Sequence, residues 1–532
     1  MKRERIINLC GLTILVVLFA FAAIQIVGRS TASRQRDHVT LRIAHWHLQS
    51  GLKEAFARAI REYERLHPDV RIEQVIIPER SWIAWQRTQL VGGNPPDLFE
   101  IGLVRGMTEE MLSRYFVPLT DKVQSPNPYN QNTHLAGIPW RLTFIDGMMN
   151  DDCYSPNLAE FYGVPSALFT IRVFYNTDLL REITGQDEPP RSFNDFISLC
   201  RLAQQWSEQH AKPLVPIAGS KFNAPHLLNA LMQGSLQSFR ERLDLFQNLE
   251  FRTGALSRLS GYGVLRNTWT FTDPPVRQSL ELAQVLMQQM QPGFHQLGRE
   301  DATFAFTQGR ALMIVSGNFD VTSLQHEAPF KLGVFELPVP RGQPFGEGTL
   351  GSAAEASKQP SGVFGITQAS RYQEQALDFL RFFTSVTTNR QFAQDTLWLP
   401  GLVDLPPPPG AEAFAPRISG EIDGPLLFPS NDSTRFVSLL FQRNLHLLSS
   451  PTGGIDRFIA AMESAYKPAL RVDLARNMKD IRRGVSRSDT TIAAWRARSD
   501  EPNATQKVTQ LTDVQQQQEL SYYQSAYELA RP

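Results

Sequence analysis

A strand, a helix and a second strand follow one another early in the chain, and no other feature narrows the possible folds as far. The run VTLRIAHW is β-branched and apolar, short enough for a buried strand, and it breaks at His45-Trp46-His47. Through GLKEAFARAIREYERLHPDV, the residues Leu52, Ala55, Phe56, Ala59, Ile60, Tyr63 and Leu66 recur at helical spacing, and His67-Pro68-Asp69 ends the helix. VRIEQVIIP is the second strand. Two strands separated by a helix of this length pair in parallel, because parallel pairing needs a long crossover.

The same alternation continues. A helix around SWIAWQRTQLV meets GGNPP, where Gly92 and Gly93 can take the left-handed conformation that closes a helix and Pro95 and Pro96 forbid its continuation. DLFEIG is then a buried strand ending near Glu100. In open, mostly parallel sheets ligands sit outside the carboxyl ends of strands, so Glu100 and the loop after it form a possible binding rim. YGVPSALFTIRVFYN reads as an apolar strand entered through Gly163 and Pro165, able to carry the chain from one lobe to another. Ser192 opens a helix with Asp195 completing a capping-box-like start. LELAQVLMQQM and QEQALDFLRFFTS are amphipathic helices, and ALMIVSG and GVFGIT are short strands. The fold class is α/β with parallel-rich sheets. DLPPPPG is a loop or connector, and from about Arg471 the chain turns polar and helix-prone, as an appended extension.

With 532 residues the chain divides into two or three domains. Its formal net charge of +0 removes the attraction that nucleic acid binding needs, so nucleic acid is set aside. Lys2, Arg3 and Arg5 precede an apolar run over residues 9–27, the order of an export signal. That run is also long enough for a minimal membrane anchor, so cleavage and retention are both open. Cys10 stands at the start of the apolar run, the wrong place for a lipid-modified cysteine; Cys153 and Cys200 allow one disulfide or two buried thiols. The chain contains no GxxxxGK[ST], HExxH or GxSxG motif, which weakens the case for catalysis without excluding it. His45 and His47 lack the further ligands that a metal site needs. No cofactor is expected.

Five segments in fixed order carry a resemblance: LRIAHW with the helix after it, GNPPDLFEIG, YGVPSALFTIRVFYNTDLL, FAFTQGRALMIVSGNFDVTSL, and GVFGITQASRYQEQALDFLRFFTSVTTNRQFAQDTLWLPGL. Their order resembles the extracellular solute-binding proteins that deliver sugars to ABC importers, the group that includes maltose-binding protein. The resemblance implies a hinge-linked, two-lobed periplasmic-binding-protein fold: residues 38–168 and 363–420 in lobe 1, 169–362 and 421–470 in lobe 2, with a leader over 1–36 and a helical extension over 471–532. It also implies a non-enzymatic, monomeric receptor outside the cytoplasmic membrane, with a carbohydrate in its cleft and ABC permease subunits as partners. Departures from the family are a long GIPWRLTFIDGMMNDDCYSPNLAEF segment, the tail after Arg471 and an N-terminus that can remain as an anchor.

Sugars need flat apolar faces and planar polar groups around their hydroxyls. Trp46, Phe319 and Trp398 are candidate stacking faces, each with a packed-core alternative. Glu100 is a candidate acceptor for hydroxyls, and Asp320 accepts hydroxyls or caps the next helix. Phe169 in the crossing strand, Asn223 after LVPIAGS and Asn318 in SGNFD complete the set, with Arg105 as a planar paired donor for hydroxyls or a sugar carboxylate. Two competing functions stay open. One is an exported carbohydrate-active enzyme with two carboxylates about 5–9.5 Å apart; the other is a membrane-tethered sensor or scaffold on the same fold.

Overall fold

The computed structural model describes residues 38–48, 51–102, 107–247, 253–355, 360–427, 435–450 and 454–531. The apolar N-terminal run and Arg105 lie outside the described residues.

The described residues begin in lobe 1 with β1 (Val39–His45), α1 (Leu52–Leu66), β2 (Val70–Ile76), α2 (Glu79–Val91) and β3 (Leu98–Glu100). Helix α1 turns Leu52, Ala55, Phe56, Ala59, Ile60 and Tyr63 inward, while Leu66 is exposed. Each large side chain so buried is worth about 1.5–3 kcal/mol. The α2 helix stops where the sequence says it must: Gly92 is its C-cap and Gly93 follows at φ 74°, a conformation that a side chain resists. After α3 (Glu109–Tyr115) a small hairpin, β4 (Tyr154–Ser155) and β5 (Glu160–Phe161), leads into β6 (Val164–Leu168). A Cβ on Gly163 would run into the Val363 side chain and the Asp152 carbonyl, so this entry to β6 has no room for one.

Lobe 2 holds β7 (Ile171–Asn176), α4 (Thr177–Thr184), α5 (Phe193–His210), β8 (Val215–Ala218), α6 (Asn223–Ser235), α7 (Thr253–Leu265), α8 (Pro274–Met287), α9 (Arg299–Thr307), β9 (Ala311–Gly317), α10 (Val321–Glu327) and β10 (Leu332–Phe335). Ser192 caps α5 by accepting from the Asp195 amide and donating to its carboxylate. The chain returns to lobe 1 through β11 (Pro360–Ile366), α11 (Gln373–Phe383) and α12 (Val386–Thr396), then crosses again to α13 (Phe436–Leu448), α14 (Gly454–Ala497) and α15 (Ala504–Ala530).

Sheet order is β2-β1-β3-β11-β6 in lobe 1 and β10-β7-β9-β8 in lobe 2. β1 pairs in parallel with β2 and β3, and β8 with β9; the pairings of β11 with β3 and β6, and of β7 with β9 and β10, are antiparallel. The sheets are mixed, which corrects the parallel-rich expectation. The strands that leave and re-enter a lobe arrive from the opposite direction, and hydrophobic periodicity carries no information on that. Two further differences concern boundaries. Phe414 packs on Phe174 of lobe 2 at 5.4 Å, so the chain has already left lobe 1 there. The extension is continuous with α14, which starts at Gly454, because Ile455, Phe458, Ile459 and Met462 enter the lobe 2 core and hide the helix inside an apolar stretch.

The lobes meet where β6 passes into β7. Leu168 donates its amide to the Leu399 carbonyl (2.8 Å), and the Thr170 hydroxyl donates to the Phe414 carbonyl (2.8 Å), so the crossing segments are tied together. Cys153 and Cys200 are free, buried thiols, so no disulfide joins them. Among the described residues no helix is long and apolar enough to cross a membrane.

Candidate functional site

A cleft of about 580 Å³ lies between the lobes. The lobe 1 wall comes from the edge where β1 and β3 end side by side, with Ala44 opposite Phe99. Just beyond that register, His47 and Glu100 meet: Nε2 of His47 is 2.7 Å from a Glu100 oxygen, and both residues are buried. Glu100 is thus no solvated strand end but half of a buried pair. His47 also stands edge-on to Trp398 (4.9 Å) and tilted to Trp46 (5.1 Å), and Trp46 meets Trp82 edge-on at 5.2 Å. Nδ1 of His47 is buried with no hydrogen-bond partner. Behind it, His45 stacks on Phe56 at 4.6 Å; burial first and repulsion from His47 second pull its pKa down to about 3, against a bond to Gln74.

The lobe 2 wall is built differently. The Arg299 guanidinium lies over the rings of Phe222 (4.9 Å) and Phe319 (5.2 Å) and is held by the Asp320 carboxylate, which also accepts from the Ser316 hydroxyl at 2.5 Å. Phe319 in turn meets Phe169 of the crossing segment edge-on at 5.5 Å. Burial and then the Arg299 charge lower the His226 pKa to about 4, so His226 faces the cleft as a neutral imidazole at neutral pH.

At the cleft floor Arg172, 3% exposed, makes five hydrogen bonds: Nε to the Ala413 carbonyl (2.9 Å), Nη1 to the Ile171 carbonyl (2.8 Å) and one Glu355 oxygen (2.8 Å), Nη2 to the other Glu355 oxygen (3.1 Å) and the Ala415 carbonyl (2.8 Å). Arg417 extends the network by pairing with Glu336 and donating its amide to Glu355. Burial, with Arg172 nearby, holds the Arg417 pKa below its usual value.

Of the residues singled out from sequence, Trp46, Glu100, Phe169, Phe319 and Trp398 line the cleft. Asn223, Asn318 and Asp320 do not. Asn223 is buried, with Nδ2 donating to the Val315 carbonyl (2.7 Å) and Oδ1 accepting from Ser220 (2.6 Å). Asn318 Oδ1 accepts from the Thr170 amide (3.0 Å), which fastens the crossing segment. Asp320 serves Arg299. The sequence reading passed over Arg172, Phe222, His226 and Arg299; Arg172 had a visible signal, a lone cation inside the apolar run TIRVFYN.

Two mixed α/β lobes, joined by crossing segments and facing each other across a cleft with aromatic and charged walls, define a two-lobed binding protein. The chain belongs to the bacterial extracellular solute-binding protein family, whose model matches residues 58–413. Solved structures with this fold include maltose-bound T. maritima MalE3 (TM-score 0.53, 16% identity, 82% of this chain and 99% of that chain). The cyclic alpha-maltosyl-1,6-maltose binding protein from Arthrobacter globiformis (0.52, 15%, 81% and 99%) and a chitin oligosaccharide binding protein (0.50, 16%, 81% and 99%) share it too. None of the curated proteins matches the chain.

Proposed function

We propose that the protein captures a carbohydrate, an oligosaccharide, in the interlobe cleft outside the cytoplasmic membrane and hands it to an ABC-type permease without chemical change. The observation that carries this reading is the pairing of walls. Lobe 1 offers Trp46 and Trp398 beside the His47–Glu100 pair, and lobe 2 offers Phe319 and Phe222 around Arg299. Aromatic rings suit the C–H faces of pyranoses, and fixed polar groups suit hydroxyls whose burial without partners is costly. The His47–Glu100 contact at 2.7 Å fixes both side chains at the cleft wall, so the polar groups offered there are set before a ligand arrives. Maltose, a cyclic maltosyl-maltose and chitin oligosaccharides, named for proteins of the same fold, belong to one chemical class.

In this reading Trp46, Phe169, Phe319 and Trp398 supply contact faces, Glu100 orients His47, and Asn223, Asn318 and Asp320 hold the walls from behind. Arg105 is an additional donor. The receptor acts as a monomer, and whether it is released or anchored depends on the N-terminal run. A ligand present at 100 times its Kd stabilises the protein that binds it by about 2.7 kcal/mol. A thermal-shift screen of purified protein against neutral and acidic oligosaccharides, with product analysis of each mixture, tests the assignment. Stabilisation by a sugar without turnover is expected; stabilisation only by peptides or amino acids overturns the ligand class, and turnover overturns the binding-only role.

A further inference from the structure

The two C-terminal helices touch both lobes. At one end they belong to lobe 2: Phe458, Met462 and Tyr466 of α14 lie in its core, and the end of α15 is fixed to α7 by Tyr262–Ser525 (2.7 Å) and to the residue just after α7 by the Arg266–Glu528 ion pair (2.6 Å). At the other end they sit on lobe 1. Ile492 of α14 and Leu511 of α15 pack on Ala159, in the turn between β4 and β5. Lys507, its side chain 9% exposed, donates to the Ala159 carbonyl and pairs with Glu160 at 2.7 Å; Arg487 faces Glu110 at 3.9 Å. Helix α14 has 44 residues, and its internal Pro468 lies among the residues packed on lobe 2, so the stretch from Leu474 to Ile492, about 27 Å at 1.5 Å per residue, runs to the tip with no proline in it.

We infer that the α14–α15 hairpin is an interlobe brace that limits how far the two lobes can rotate about the crossing segments. The lobe 1 attachment lies at the entry to β6, whereas the crossing lies at the other end of that strand. Five residues of strand make a lever of roughly 16 Å. A lobe rotation of about 15° on that lever would displace the attachment by roughly 4 Å, enough to separate a buried ammonium from its carboxylate. The lobes are therefore joined twice, once by the crossing segments and once by a stiff strut, and opening must either break the tip contacts or bend the helices. Both helices lie beyond residue 413, where the family match ends.

The test needs no ligand. In full-length protein, spin labels on cysteines introduced by Arg61→Cys on α1 and Gln205→Cys on α5, both at exposed positions, report the distance between lobes. The parent should give a narrow distribution, and Lys507→Glu or the pair Ile492→Ser with Leu511→Ser should broaden it roughly twofold. Far-UV helix content should stay unchanged and Lys507→Arg should keep the narrow distribution. Where either tip variant loses helix, Lys507→Gln, which removes the charge without adding repulsion, takes its place. An unchanged distribution in a variant whose amides over 159–161 exchange faster, showing that the tip has detached, overturns the brace.

Discussion

Replacing Arg172 with methionine isolates the buried network under the cleft. The substitution keeps an unbranched apolar stem and removes all five hydrogen bonds. It leaves the carbonyls of Ala413 and Ala415 without these donors, and Glu355 with only the Arg417 amide among the contacts described above. Removing one partner of a buried ion pair costs about 3–5 kcal/mol, because the remaining charge is uncompensated. Stranded carbonyls add about 1–3 kcal/mol each when dry, but Arg172 borders the cleft and water can reach part of its space, so the lower range applies. For a lobe of this size the loss corresponds to roughly 10 °C in the lobe 2 transition by calorimetry of ligand-free protein. The companion Arg172→Met/Glu355→Gln removes both charges and should recover about 2 kcal/mol of the loss. Equal instability in the single and double variants would refute the argument from charge and assign the cost to the carbonyls. A loss below about 1 kcal/mol would mean the pair behaves as an exposed one.

The two cleft aromatics should separate in their effects. Phe319→Ala, at a partly exposed ring, should weaken binding of the sugar found by screening about tenfold, or about 1–3 kcal/mol by titration, whereas Trp398→Ala, at a side chain 2% exposed, should cost about 3–5 kcal/mol of stability in ligand-free protein. Acid should destabilise the fold through two histidines. His45 and His226 are neutral in the native state down to about pH 3 and 4, while the unfolded chain takes up their protons from about 6.5, so stability falls as pH drops through that window. Denaturation midpoints of His45→Gln and His226→Gln should fall less steeply between pH 6.5 and 4 than those of the parent, and parallel curves would contradict this. Cys153 and Cys200, buried with thiol pKa values pushed above the ordinary range mainly by burial, should resist iodoacetamide in native protein and react only on unfolding, as read by peptide mapping.

The local elements were largely legible because their causes are local. Helix α1 announces itself by the spacing of Phe56, Ile60 and Tyr63, and α2 ends at a glycine pair whose second member takes the left-handed turn. The parallel pairing of β1 with β2 was legible from the helix between them, but the direction of the β11 pairings was not, since it depends on the lobe from which β11 returns. The cleft shows the same division. Residues at the ends of apolar runs, such as Trp46, Glu100 and Phe319, could be picked out, because a strand that ends at a sheet edge brings its last residues to the rim. Arg299 and Phe222 belong to separate helical regions and meet only through the packing of lobe 2, so no spacing in the chain joins them. Asn318 and Asp320 also follow an apolar run, but what their side chains bind, the Thr170 backbone and Arg299, comes from distant segments that no spacing in the chain connects to them.

The position of β11 has a consequence for the order in which the molecule can be made. It is inserted between β3 and β6, so until residues 360–366 arrive both of those strands lack a neighbour and their edge hydrogen bonds remain open. Lobe 1 holds β1, the first strand among the described residues, yet is completed only after most of lobe 2 has been synthesised. Contacts separated by so much sequence form slowly, because the loop that joins them must close first. A partly synthesised chain therefore stays unfinished in its N-terminal half, a state that can still be threaded through a narrow translocation channel, and lobe 1 acquires its final shape only once the returning strand is available.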